Sequence, residues 1–104
     1  MINTLKKMLG FGPETNYKEL VQNGATIIDV RTLGEYQSGH IKGSSNIPLD
    51  TLGAQLQKWD KNKPIITCCA SGMRSASAKN LLLSKGFKQV YNGGGWASLQ
   101  RKLK

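Results

Sequence analysis

The sequence predicts a small three-layer α/β domain, with a central, mostly parallel sheet covered by helices on both faces. Two runs, residues 25–28 (ATII) and 65–68 (IITC), are apolar, rich in β-branched residues and bounded by polar turns, as strands buried on both faces are. Segments of helical spacing alternate with these runs. Strand–helix–strand order requires crossover connections and therefore parallel neighbours. The chain has 104 residues, enough for one domain, and its 38% hydrophobic and 20% charged residues fit a folded chain better than a disordered one.

Residues 1–14 read as an N-terminal extension and residues 15–104 as the domain. The extension opens MINTLKKMLGFG. Lys6 and Lys7 interrupt its apolar stretch and no small-residue cleavage site follows, so it does not read as a signal peptide. Asn16 is placed to cap a helix from Tyr17 to about Gln22, with Glu19 three residues on as a capping box requires. Asn23 and Gly24 turn the chain into the first strand, which runs into Asp29, Val30 and Arg31. Gly34, Glu35 and Tyr36 start a single helical turn, and Gly39, Gly43 and Pro48 punctuate an irregular segment.

Leu49, Leu52, Leu56 and Trp59 form one apolar stripe, which predicts an amphipathic helix. A turn at residues 60–64 leads to the second strand. Residues 69–74 form a short polar loop. A helix follows over residues 75–85, with Ala78, Leu81 and Leu82 inward and Gly86 just past its end. Residues 87–91 read as a third strand; Asn92 and three glycines then precede Trp96 and a basic helix.

Fifteen Lys and Arg against six Asp and Glu give a formal charge of +9, a field that attracts anions. The basic residues fall in small groups with no aromatic residues between them for base stacking, so no specific nucleic-acid site is expected. No run of 18 apolar residues exists to span a membrane. One His and six acids are a poor supply for a metal centre, and no metal or other cofactor is expected. The two cysteines are adjacent, which argues against a disulfide framework and for free thiols in a reducing compartment, the cytoplasm.

The chemistry concentrates in Cys69, Ala70, Ser71, Gly72, Met73, Arg74 and Ser75. In open α/β sheets ligands bind outside the carboxyl ends of the strands, and this loop leaves such an end and enters a helix. Its amides, with the unpaired N–H groups of the helix start, curl into an anion pocket. A cysteine there is held as the reactive thiolate. Cys68 lies within the strand and should pack into the core. Arg74 comes back over the loop as an anion clamp, while Ser71 and Ser75 supply further donors. Asp29 and Arg31 end the neighbouring strand as supporting residues, Asp29 by holding the segment after it and Arg31 by adding positive potential. His40 has no placement near Cys69, and Glu35, Trp59 and Trp96 read as structural.

Four pieces in order carry a family resemblance: Asp29-Val30-Arg31 with Glu35-Tyr36; Gly39-His40-Ile41-Lys42-Gly43-Ser44 through Asn46-Ile47-Pro48; Cys69-Ala70-Ser71-Gly72-Met73-Arg74-Ser75; and Gly94-Gly95-Trp96. The chain resembles a single-domain rhodanese of the thiosulfate sulfurtransferase family. That resemblance implies a sheet of about five strands, with Cys69 as catalytic residue and the loop from Ala70 to Ser75 as binding site. It also implies transfer of a sulfane sulfur from thiosulfate, or a related small anionic donor, through a Cys69 persulfide. The acceptor would be cyanide, a thiol or a protein partner. Leu99 stands in a region where many relatives carry a second aromatic residue, and Ser44 where they usually have Ala; neither touches the loop.

Two other readings stay open. Counted from Cys68, the pattern Cys-x5-Arg with Arg74 resembles the phosphate loop of cysteine phosphatases and arsenate reductases. A domain of this kind can also serve as a persulfide relay or interaction module for a protein partner.

Overall fold

The computed structural model describes residues 15–104; the expected N-terminal extension lies outside the described residues. The elements in chain order are α1 (Tyr17–Gln22), β1 (Thr26–Asp29), α2 (Leu33–Gln37), β2 (Ser45–Asn46), α3 (Leu49–Leu52), β3 (Ile65–Cys69), α4 (Met73–Ser84), β4 (Val90–Gly95) and α5 (Trp96–Lys102). The strands form one four-stranded sheet in the order β2-β1-β3-β4. Every pairing is parallel, with Ile27 opposite Ile66 and Asp29 opposite Cys68 at the centre.

Strand alternation divides the core into two layers. Ile28, Val30, Ile65 and Cys69 face one side, where Leu52, Leu56, Ala78, Leu82 and Phe87 cover them. Ile27, Ile66 and Cys68 face the other side, against Leu99, Ile41 and partly buried Tyr17, Leu20, Val21 and Trp96. Helices α3 and α4 thus cover one face, and α1 and α5 the other. This is the expected three-layer arrangement, with four strands against an expectation of about five.

Asn16 caps α1, accepting the Glu19 N–H at 3.0 Å. The full capping box forms at α2, where the Thr32 hydroxyl accepts the Glu35 N–H and Glu35 Oε1 accepts the Thr32 N–H. The stripe from Leu49 to Trp59 faces the core as expected, but helix persists only over Leu49–Leu52. Past it the chain advances by i+3 turns: Ala54 N–H to Thr51, Gln55 N–H to Leu52 and Trp59 N–H to Leu56. Such turns recur on one face almost as a helix does, so the burial pattern survives where the helix does not.

The last strand begins three residues later than its composition implies, at Val90, and runs through the glycines. Phe87 is instead a buried plug after α4, its N–H donating to the Leu82 carbonyl. The glycines are needed for close approach. A Cβ on Gly93 would lie 2.8 Å from Leu99 Cδ2, 2.8 Å from the Thr67 carbonyl oxygen and 2.9 Å from Ile66 Cγ2. On Gly95 it would lie 2.9 Å from the Ala70 carbonyl oxygen. Strand β4 therefore lies directly against the end of β3 and the loop that leaves it.

Candidate active site

The β3–β4 register shifts between Thr67 and Cys69, so β3 ends on an irregularity. Cys69 closes the strand, and the chain reverses through Ala70 and Ser71 to Gly72, which adopts φ 101° ahead of α4. That left-handed conformation suits glycine, and it turns the Gly72 N–H inward. The Gly72 N–H donates to Cys69 Sγ at 2.9 Å, and the Ser75 N–H from the first turn of α4 donates to it at 3.3 Å. The Cys69 thiol lies 3.4 Å from Ser75 Oγ. The loop amides and a helix start thus converge on one sulfur, as the sequence predicts.

Burial alone pushes the Cys69 thiol up. The Ser75 hydroxyl and the amides of Ser75, Gly72 and Ser71 outweigh it, and the thiol lies below its ordinary value. Cys69 nevertheless has no exposed surface and shares a packed cluster with Ile28, Val30 and Leu82. This differs from an open loop mouth. The sulfur therefore receives its amide donors while packed in an apolar layer. Ala70, Ser71 and Met73 form the exposed outer side of the loop, with Met73 the most exposed large apolar side chain among the described residues at 79%.

Cys68 faces the opposite layer beside Ile66 and Leu99. Burial first, and the Asp29 charge second, push its thiol up to about 12. A Cys68-x5-Arg74 phosphate loop would therefore need a nucleophile locked in an apolar layer and protonated at neutral pH. That geometry argues against the phosphatase or arsenate reductase reading.

Arg74 is not a free clamp. Its Nη1 and Nη2 donate to Glu35 Oε1 and Oε2 at 2.7 and 2.9 Å, a bidentate pair joining α4 to α2. Arg74 first, then the Thr32 backbone, hold the Glu35 carboxyl down at about 2. Arg31 is committed as well. Its Nε and Nη2 donate to the fully buried Asp29 carboxylate, and Nη1 and Nη2 to the carbonyls of Glu35 and Gly39. The guanidinium also sits 4.8 Å from the Trp96 ring centre. The Asp29–Arg31 pair ties the segment after β1 to the sheet, the role expected of Asp29; Arg31 joins it there rather than standing as a free cation. His40 stacks on Tyr36 with centroids 3.7 Å apart, and its Nδ1 meets the Tyr36 carbonyl, a local structural role.

Two site contacts have no sequence signal that locates them. Asn92 Oδ1 accepts the Ser75 hydroxyl at 2.6 Å and the Gly94 N–H at 2.9 Å, fastening the loop to β4. The Arg74–Glu35 pair was equally hidden, although Thr32-x-x-Glu35 is a readable cap. Among the described residues no three His, Cys, Asp or Glu side chains gather as a metal site.

A rhodanese-like domain model matches residues 13–102. The thiosulfate sulfurtransferase GlpE of Pseudomonas fluorescens (strain SBW25) is 32% identical over 89 residues, 86% of this chain and 82% of that protein. A solved structure described as rhodanese with anions from E. coli superposes with a TM-score of 0.68 at 34% identity, over 72% of this chain and 91% of that one. The human single-domain sulfurtransferase TSTD1 gives a TM-score of 0.74 at 26% identity, covering 83% of this chain and 90% of that one.

Proposed function

The chain belongs to the rhodanese-like domain family, and from that premise we propose that it is a sulfurtransferase whose Cys69 carries a sulfane sulfur as a persulfide. The observation that carries this reading is the amide-lined Cys69 sulfur, acidified although it is buried. A thiolate there attacks the outer sulfur of a donor such as thiosulfate; the sulfur–sulfur bond breaks and sulfite leaves with the bonding pair. The persulfide is itself an anion, and the Gly72 and Ser75 amides are placed to hold its charge. A small thiol, cyanide or a partner's thiol then takes the outer sulfur and restores Cys69. Residues 70–75 form the binding loop, and residues 15–104 the working domain behind an N-terminal extension. Two free cysteines fit work in a reducing cytoplasm. No helix among the described residues is long and apolar enough to cross a membrane.

The test is mass-resolved persulfidation. Incubation with thiosulfate should add one sulfur to the peptide at Cys69. Cys69→Ser should abolish both the mass shift and thiocyanate formation, and Cys68→Ser should retain both. Labelling at Cys68, or turnover by Cys69→Ser, refutes the assignment.

A further inference from the structure

Ser75 Oγ has three acceptors within reach and a single proton to give. Asn92 Oδ1 lies at 2.6 Å, the Gly72 carbonyl at 3.0 Å and Cys69 Sγ at 3.4 Å. The Asn92 amide cannot be turned round to relieve this competition. Its oxygen faces the Gly94 N–H at 2.9 Å, a group that only donates. Its nitrogen faces the Gly72 carbonyl at 3.4 Å, a group that only accepts. Two oxygens 2.6 Å apart need a proton between them, and an amide oxygen has none, so the Ser75 proton lies on the line to Asn92. The Gly72 carbonyl is engaged as well, by the Ala76 N–H at 3.1 Å. Ser75 Oγ therefore turns a lone pair, not a proton, toward Cys69. That arrangement suits a thiol, which donates its own proton, and opposes a thiolate.

We propose that Asn92 is a positioning residue for Cys69: it holds the Ser75 hydroxyl as an acceptor for the resting thiol and restrains that hydroxyl from donating to the sulfur once the sulfur is charged. The proposal rests on the reading of Cys69 as the sulfur-carrying nucleophile. When Cys69 loses its proton to solvent water, rotation about the Ser75 Cβ–Oγ bond swings the hydroxyl proton from Asn92 Oδ1 to Sγ. Only the S–H bond breaks, and the serine proton stays on Oγ. Asn92 Oδ1 keeps the Gly94 N–H as partner, so the rotation leaves no empty acceptor behind. It exchanges a short neutral hydrogen bond for a charge-assisted one. The Gly72 and Ser75 amides meet the sulfur without this competition. The acidity of Cys69 is thus set partly by its own loop and partly by β4, 17 residues beyond Ser75. Other charged or titratable groups on the surrounding elements are Arg74 with Glu35, Asp29 with Arg31, and the Cys68 thiol. Asp50 on α3 is exposed, Lys79 lies one turn beyond Ser75 on α4, and Tyr91 of β4 packs in the opposite layer. Tyr17 reaches Asn92 at its backbone carbonyl, 3.0 Å away. None of these side chains bonds to Ser75 Oγ or Asn92 Oδ1.

The experiment measures the pH midpoint of Cys69 alkylation by iodoacetamide in the full chain, with Asn92→Ala and Asn92→Asp each made alone and over Ser75→Ala. Asn92→Ala frees the hydroxyl for the thiolate and should lower the midpoint by about half a pH unit or more. Loosening of the loop, the effect of a merely structural residue, would withdraw amides from the sulfur and raise it. Asn92→Asp keeps the shape and the acceptor for Gly94, holds the hydroxyl harder and should raise the midpoint by about half a unit or more. Over Ser75→Ala the first shift should vanish, and the second should shrink to the effect of the added charge. If Asn92→Ala fails to fold, the Asn92→Asp pair decides alone. An unmoved midpoint, a shift of the opposite sign, or shifts of equal size with and without Ser75 overturn the role of Asn92. A parallel incubation of the wild type with thiosulfate, resolved by mass, tests the transferase separately. No sulfur added at Cys69, with the midpoints moved as expected, overturns the transferase and leaves the positioning role standing.

Discussion

Replacing Ser75 with Ala removes the hydroxyl that partners the Cys69 sulfur and leaves the Ser75 amide in place. A hydrogen bond to a charged group is worth about 1.5–3 kcal/mol. Two features put this one at the lower end. The Oγ–Sγ distance is 3.4 Å, and the hydroxyl already has Asn92 Oδ1 at 2.6 Å and the Gly72 carbonyl at 3.0 Å as competing acceptors. Taking about 1.5 kcal/mol, the midpoint of Cys69 reactivity should move up by about one pH unit in the variant. The assay is the rate of Cys69 alkylation by iodoacetamide across pH, with Cys68 as an internal standard in the same digest. The rate–pH curve for Cys69 should move to higher pH, and Cys68 should stay unreactive in both proteins. An unmoved curve would show that the amides alone set the acidity, and faster labelling of Cys68 would refute the assignment of the two thiols to opposite layers.

Two further outcomes follow from packing and from charge. Gly93→Ala places a methyl against the Thr67 carbonyl oxygen at 2.8 Å, a backbone atom with no rotamer to yield, and should cost about 2–3 kcal/mol, seen as a melting temperature lower by about 10 °C or more; a melting temperature within a degree or two of wild type would mean that β3 and β4 are not this close. Glu35, held at about 2 by Arg74, is more acidic folded than unfolded, so its contribution to stability is complete above the unfolded carboxyl range near pH 4.5 and is lost as pH falls from there toward about 2. Urea titrations between those limits should show a shallower acid loss for Glu35→Gln than for wild type, and parallel curves would exclude the ion pair as a contributor.

The site and most of the fold are legible in the sequence because they depend on local signals. A β-branched run ends in a cysteine, a glycine follows three residues later, and a helix begins next; backbone geometry then brings the loop amides to the sulfur with little help from the rest of the chain. The same holds for Asn16 as a cap, and for Asp29 and Arg31 two residues apart at a strand end. The misreadings have the opposite character. Helical spacing from Leu49 to Trp59 reports which side is buried, and both a helix and a chain of i+3 turns satisfy it. Gly93 and Gly95 look like a loop by composition, and only the space between β4 and its neighbours makes them strand.

The sequence by itself determined the layer order, the place of Cys69 at a strand end and the loop whose amides reach its sulfur, since each follows from residues close together in the chain. Only the tertiary structure decided the state of Arg74, because Glu35 lies 39 residues away and meets it only when α2 and α4 are brought side by side. It also decided that the sulfur is covered and that Asn92 holds the Ser75 hydroxyl. Charge pairing across elements depends on distances that spacing along a chain does not encode, and here it pairs Arg74 with Glu35.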